Sequence, residues 1–224
     1  PYGEQDAALT LKLWQVFKEL IKLENVGKIY ELETSLIPIL LDMRYKGVPV
    51  DLDVAEKVSK KLKKEEDTIL TSIHKEFGMK PDLWAAQSIA TVFDRAGLSY
   101  PRTPKTNAPS FAGDWLEAHD HKLANNIVRA RKLNKARTTF IDKMILEHNV
   151  KGRIHGELHP LRSDRGGTVT GRFSSSNPNL QQVPARNEDI GPLIRSIFIP
   201  EKDHYWGCFD YSQQEPRLTV HYAS

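Results

Sequence analysis

The chain has one cysteine, Cys208, in 224 residues. No intrachain disulfide can form, a cysteine-rich zinc site is excluded, and a reducing compartment is the natural setting. Long apolar runs are also missing: none approaches the ~20 residues that span a bilayer. The opening Pro1-Tyr2-Gly3-Glu4 has no basic stretch followed by an apolar one, so it does not read as a secretory signal. It does not begin with Met either, and reads as a processed start or the cut end of a longer chain. Internal repeats and low-complexity tracts are absent. What remains is ordinary in bulk, with 39% hydrophobic and 27% charged residues. That balance suits a soluble, cytoplasmic, non-membrane protein, long enough to bury a core as one large domain or two small ones.

The net charge of +3 hides an asymmetry. Residues 1–100 carry 14 Lys/Arg and 16 Asp/Glu (−2), residues 101–200 carry 16 and 9 (+7), and residues 201–224 carry 2 and 4 (−2). Any one basic helix can be a solvated face. A basic middle beside an acidic C-terminal segment fits a polyanion held next to a phosphoryl-transfer centre.

Local patterns predict a helical body followed by a mixed region of strands and loops, an α+β chain. Leu9, Leu13, Val16, Phe17 and Leu20 form a stripe at helical spacing. A second helix is expected from Ser35 to Lys46, burying Leu36, Leu40 and Met43, with Pro38 in its first turn and Gly47 as its stop. A third, capped by Asp53 with Glu56, runs to Phe77 and places Ala55, Val58, Leu62, Ile69 and Ile73 on one face. Its other face, mostly Lys and Glu, reads as solvated. Pro101, Pro104 and Pro109 make residues 101–110 a loop. Asp120 can cap a long helix from His121 to His148, which holds seven Lys/Arg against Asp142 between Lys122 and Lys143. Residues 153–158, 168–170, 197–199 and 206–209 read as extended.

The most informative stretch is Asp210-Tyr211-Ser212-Gln213-Gln214-Glu215-Pro216-Arg217, delivered by the apolar run Tyr205 to Phe209. Alone, Asp210 reads more readily as a helix cap than as a metal ligand. The whole string resembles motif A of family A DNA polymerases, the family of bacterial DNA polymerase I and its phage relatives. Gln214 and Pro216 stand where the family usually has Ile or Leu, a variant similar to phage-type sequences. The resemblance implies template-directed deoxynucleotidyl transfer with two Mg²⁺ ions, which hold the attacking and leaving oxygens and favour carboxylate ligands. It makes Asp210 a metal ligand, the main-chain carbonyl of Tyr211 a second one, and Glu215 the residue that excludes a 2′-hydroxyl from the incoming sugar.

Upstream, Thr170-Gly171-Arg172-Phe173-Ser174-Ser175-Ser176-Asn177-Pro178-Asn179-Leu180-Gln181-Gln182-Val183-Pro184 resembles the family segment that grips primer–template DNA near the growing 3′ end. Arg172 suits the degenerate minor-groove acceptors that every correct pair presents. Ser174 and Ser175 suit phosphates, and Asn179, Gln181 and Gln182 supply amides. Residues 129–140 resemble the base of the thumb, with Arg131, Lys135 and Thr139 at i, i+4, i+8 on one helical face to track phosphates. Lys105 and Asn107 fall in a segment similar to the thumb-tip loop, for which a plain surface loop is an equal reading. At the N-terminus Tyr2 and Asp6 resemble part of the third motif of the 3′–5′ proofreading exonuclease, whose other motifs are not in the sequence.

The resemblance divides the chain into the last exonuclease helix and linker (1–33), a first palm-associated helix and strand (34–52), the thumb (53–151) and a partial palm with motif A (152–224). No fingers helix and no His-Asp-Glu segment follows Asp210, so the chain is expected to be part of a polymerase and inactive alone. It would partner primer–template DNA, deoxynucleoside triphosphates and the rest of the polymerase. A non-catalytic DNA-binding module, or one piece of a split polymerase, is the alternative; a nuclease lacks its other ligands. In the complete enzyme, Glu215→Ala is expected to raise ribonucleotide incorporation, measured against the matching deoxynucleotide; unchanged sugar selectivity would refute the role assigned to Glu215.

Overall fold

The computed structural model describes residues 2–161, 166–185 and 187–223. Helices α1 (Tyr2–Leu23) and α2 (Gly27–Lys46) lead into strand β1 (Val48–Pro49) and the long α3 (Leu52–Phe77). Short helices α4 (Ala86–Arg95) and α5 (Gly113–Glu117) precede α6 (Lys122–Lys135), which runs on as a π-helix over Ala136–Glu147. Then come β2 (Asn149–Val150), β3 (Arg153–Ile154), β4 (Glu157–His159), β5 (Ser174–Ser176), α7 (Gly191–Arg195) and α8 (Gln214–Ala223). The strands form two small antiparallel sheets, ordered β1-β3-β2 and β4-β5. The expected α+β class holds.

Helix α3 is the axle. Its length, about 39 Å at 1.5 Å per residue, lets one apolar face serve two cores. Ala55, Val58 and Leu62 pack with Leu133, Phe140, Ile145, Ile154, Ile194 and Ile197. Further along, Ile73 packs with Phe93, Phe111, Leu116, Leu123 and Ile127. Its stop is local: Gly78 takes φ 75°, which a side chain disfavours, and its N–H reaches the His74 carbonyl. Its start is not local. Asp51, not Asp53, is the cap, its carboxylate accepting from Val54 N at 2.9 Å. The reason is tertiary: Val50 bridges Phe198 and Asp51 N donates to the Ile197 carbonyl, which fixes Asp51 extended ahead of the helix. Glu56 pairs with Lys60 instead.

The basic helix also differs from expectation. His121, not Asp120, caps it, its Nδ1 accepting from Leu123 N at 3.1 Å. From Ala136 the helix widens. The buried residues there are Ala136, Phe140, Ile141, Met144 and Ile145, recurring every four to five positions. The i→i+5 bonds of a π-helix keep that spacing on one face, where an α-helix would rotate it away. Arg131, Lys135 and Thr139 therefore do not share a single regular helical face.

Four further expectations are corrected. Helix α2 begins at Gly27, passes through residues 33–34 without a break, and carries Pro38 in its interior. Met43 is exposed, and no residue of α1 or α2 is buried; the stripe Leu9, Leu13, Val16, Phe17 and Leu20 faces outward, with Trp14 stacked on Tyr30 at 5.6 Å as a link between the helices. Residues 168–170 form no strand, and of 197–199 only Phe198 makes a bridge. Residues 206–209 form no strand either: Tyr205 and Phe209 are almost fully exposed. A strand needs a hydrogen-bonding neighbour, and none of the described residues lies beside this segment as one.

Phe93 is fully buried and meets the rings of Tyr100, Phe111, Trp115 and His119. Phe93→Ala is expected to cost about 3–5 kcal/mol, read as a lowered urea midpoint; a loss under about 1 kcal/mol would show that the cluster is not a packed core.

Candidate nucleic-acid interface

The Thr170–Pro184 segment is built on the β4–β5 ladder, which pairs Leu158 with Ser175 and His159 with Ser174. Ser175 is buried; its hydroxyl donates to the Pro178 carbonyl and accepts from Leu180 N, both at 3.4 Å. Ser174 Oγ accepts from Gly167 N at 2.8 Å. Both hydroxyls thus shape the loop, and Ser175 does not face solvent as a phosphate contact would. Asn179 Oδ1 caps the short turn Leu180–Gln182 by accepting from Gln181 N, and Gln181 Nε2 donates to the Phe173 carbonyl. Arg172, Gln181 and Gln182 present exposed side chains. Arg172 forms an ion pair with Glu215, so this loop meets the first turn of α8. Pro216 sits in that turn, where its missing N–H costs nothing.

Asp210 and Tyr211 are exposed and precede α8, which begins at Gln214. The last tether before them is Arg153. Its Nε donates to the Lys46 carbonyl at 2.6 Å, and its Nη1 and Nη2 reach the Glu201 carboxylate, Nη1 at 3.5 Å. That hydrogen-bonded guanidinium holds the Glu201 carboxyl below its usual range.

On α6, Arg131 is half-buried. Its Nε donates to the Leu83 carbonyl at 2.7 Å and its Nη1 to the Phe111 carbonyl at 2.9 Å, and burial lowers its pKa. Lys135 is exposed and Thr139 half-buried. Lys105 and Asn107 lie at the apex of a tight loop closed by the Arg102–Pro109 bridge, with Asn107 at φ 54°, a conformation Asn tolerates. Tyr2 and Asp6 are exposed on α1. Among the described residues no three His, Cys, Asp or Glu side chains converge as a metal site, and no helix is long and apolar enough to cross a membrane.

Charge on α3 is sorted by face. Glu65, Glu66 and Glu76 turn to Arg129, Arg137 and Lys122. Lys60, Lys63, Lys64 and Lys75 line a cleft of about 830 Å³ together with Asp67 and Arg137. Sequence reasoning missed the Glu66 network. Glu66 is buried, accepts from Asn134 Nδ2 at 2.9 Å and lies 3.6 Å from Arg137, which donates to Asp142. A Glu on a lysine-rich helix carries no local sign of such burial.

Residues 52–224 match the family model described as DNA polymerase family A. The chain belongs to that family. It is 35% identical to the DNA-directed DNA polymerase of Pseudomonas phage M6, over 99% of this chain and 34% of that protein. It is 31% identical to the DNA polymerase DpoZ of Salmonella phage PMBT28, over 100% of this chain and 38% of that protein, and 31% identical to DNA polymerase I of Rhizobium leguminosarum, over 99% and 22%. The chain thus spans about a third of the phage relatives and about a fifth of the bacterial one. Among solved structures it resembles the POL domain of Pol1 from M. smegmatis in complex with DNA primer-template and dNTP, with TM-score 0.61 and 25% identity over 75% of this chain and 29% of that one.

Because Glu201 is shifted down, its pair with Arg153 adds stability above the unfolded carboxyl range near ~4.3, and that contribution is lost as pH falls through the lowered folded value. Arg153→Ala is expected to return the Glu201 carboxyl toward its ordinary range, read by carboxyl NMR titration; an unmoved titration would show that the pair does not form in solution.

Proposed function

We propose that this chain is the primer–template-gripping part of a family A DNA polymerase and contributes one carboxylate, Asp210, to nucleotidyl transfer. The observation that supports this best is the contact between Arg172 and Glu215. It joins two segments far apart in sequence, each similar to a family element that works at the primer 3′ end. In this reading Arg172, Gln181 and Gln182 meet the minor groove, Lys135, Thr139, Lys105 and Asn107 meet backbone phosphates, and Glu215 screens the sugar of the incoming deoxynucleoside triphosphate. Ser174, Ser175, Asn179 and Arg131 act mainly by holding the surfaces those residues stand on.

Asp210 and the Tyr211 carbonyl form one flank of a Mg²⁺ site. The ion would supply charge stabilisation to the oxygens of an in-line displacement. Among the described residues no group of three His, Cys, Asp or Glu side chains converges, at Asp210 or elsewhere, so these residues do not by themselves fit a two-ion site. The chain's own part is to hold duplex and sugar in register. Residues 1–33 belong to the exonuclease edge, with Tyr2 and Asp6 as its third-motif remnant and Asp6 a metal ligand only when that domain's other ligands are present. Residues 34–52 and 152–224 belong to the palm and 53–151 to the thumb. The setting is the cytoplasm of a bacterial or phage-infected cell.

A primer-extension assay tests the proposal. The isolated chain is expected to bind duplex without extending it. Adding the remaining segments of the polymerase should restore synthesis, and Asp210→Ala should return it to the no-enzyme background. Restored synthesis that survives Asp210→Ala would overturn the reading.

A further inference from the structure

We infer that Trp84 is a DNA-binding platform: its exposed indole face packs against the deoxyribose edge of a bound duplex beside Lys135. The inference rests on the duplex-gripping reading above.

Trp84 is 59% exposed, yet it is held on every bonded side. Its Nε1 donates to Asn134 Oδ1 at 3.0 Å. The Arg131 guanidinium lies 5.5 Å from its ring centroid, a cation–π contact. Its backbone N donates to Asp82 Oδ1 at 2.9 Å, and the neighbouring Leu83 is buried with its carbonyl bonded to Arg131 Nε. Asn134 is in turn fixed by the buried Glu66. A surface indole that served only to cover Arg131 would need none of the Asn134–Glu66 support, which fixes ring orientation rather than burial. A large rigid aromatic, with little side-chain freedom left to lose, is what an efficient contact surface requires.

Its position gives the ligand. Residues 131, 134 and 135 lie on one side of α6 at i, i+3 and i+4. The ring contacts Arg131 and Asn134, and Lys135, the next residue along the helix, is exposed. A phosphate held by Lys135 brings the adjoining sugar, the apolar part of the backbone, toward the indole. Bases inside a duplex are stacked on each other and cannot offer their faces, so the sugar edge is the duplex surface this ring meets. Contacts of this kind carry no sequence information.

The test is fluorescence anisotropy with a labelled duplex and a labelled single strand across a salt series, on the wild-type chain, Trp84→Ala, Trp84→Phe and Lys135→Ala, with thermal melting of each. Trp84→Ala is expected to weaken duplex binding about tenfold, the range of an aromatic contact to nucleic acid, with the slope of log K against log salt unchanged because no phosphate contact is lost. Trp84→Phe, which keeps an aromatic face, is expected to recover most of that loss, whereas Lys135→Ala should lower the salt slope by about one contact. Unchanged duplex affinity in Trp84→Ala while Lys135→Ala weakens binding would overturn the platform and leave the grip intact. A Trp84→Ala loss accompanied by a smaller salt slope would also overturn it, since that marks collapse of the Arg131 surroundings. A loss confined to the single strand would assign the ring to unstacked bases and overturn the sugar contact. Absence of duplex binding by the wild-type chain would overturn the grip and the platform together.

Discussion

Everything described here hangs on the packing of α3 against α6 and its π continuation. Both cores draw on these helices, and the polar seam between them is buried at Glu66, with Asn134 and Arg137 as its partners. A buried carboxylate is costly unless satisfied. Here Glu66 accepts from Asn134 Nδ2 and meets the Arg137 guanidinium at 3.6 Å, and these contacts favour one rotation of α6 about its axis. The same rotation decides which α6 residues face outward, among them Lys135, and where Trp84 sits. The inner seam thus sets the outer surface.

The sorting of charge on α3 follows from the same seam. The helix carries six acids and six lysines between Asp53 and Glu76, so its net charge predicts nothing. Packing turns three acids toward basic residues of α6 and the π-helix and leaves lysines along the opposite cleft. On the cleft side Lys60 pairs with Glu56 and Lys63 with Asp67, so the basic excess there rests mainly on Lys64 and Lys75.

Much of this was legible in the sequence wherever the cause is local. The buried face of α3 and its end at Phe77 follow from periodicity. The loop at residues 101–110 follows from its prolines. The family was legible because motif A and the Thr170–Pro184 string fix residue order over long stretches. What was not legible depends on distant partners. Asp51 displaces Asp53 as a cap because Phe198 and Ile197 arrive from the far end of the chain. The π register at Ala136 answers a burial spacing that reads as ordinary helix in one dimension. Arg131 is basic in any reading, but its bonds to Leu83 and Phe111 tie two loops together. The apolar run before Asp210 reads as a strand because composition reports preference, while pairing needs a neighbour.

The outward-facing stripe of α1, the open sides of α2 and the exposed rings around Asp210 have a collective consequence. The described chain exposes 16311 Å², whereas a folded monomer of 25.5 kDa typically exposes roughly 10,400 Å². The excess, about 6,000 Å² by difference, is on the scale of the area that obligate protein interfaces bury. Large hydrophobic side chains of α1, α2 and the segment around Asp210 contribute to that excess, so these segments are where the described residues leave an apolar layer uncovered.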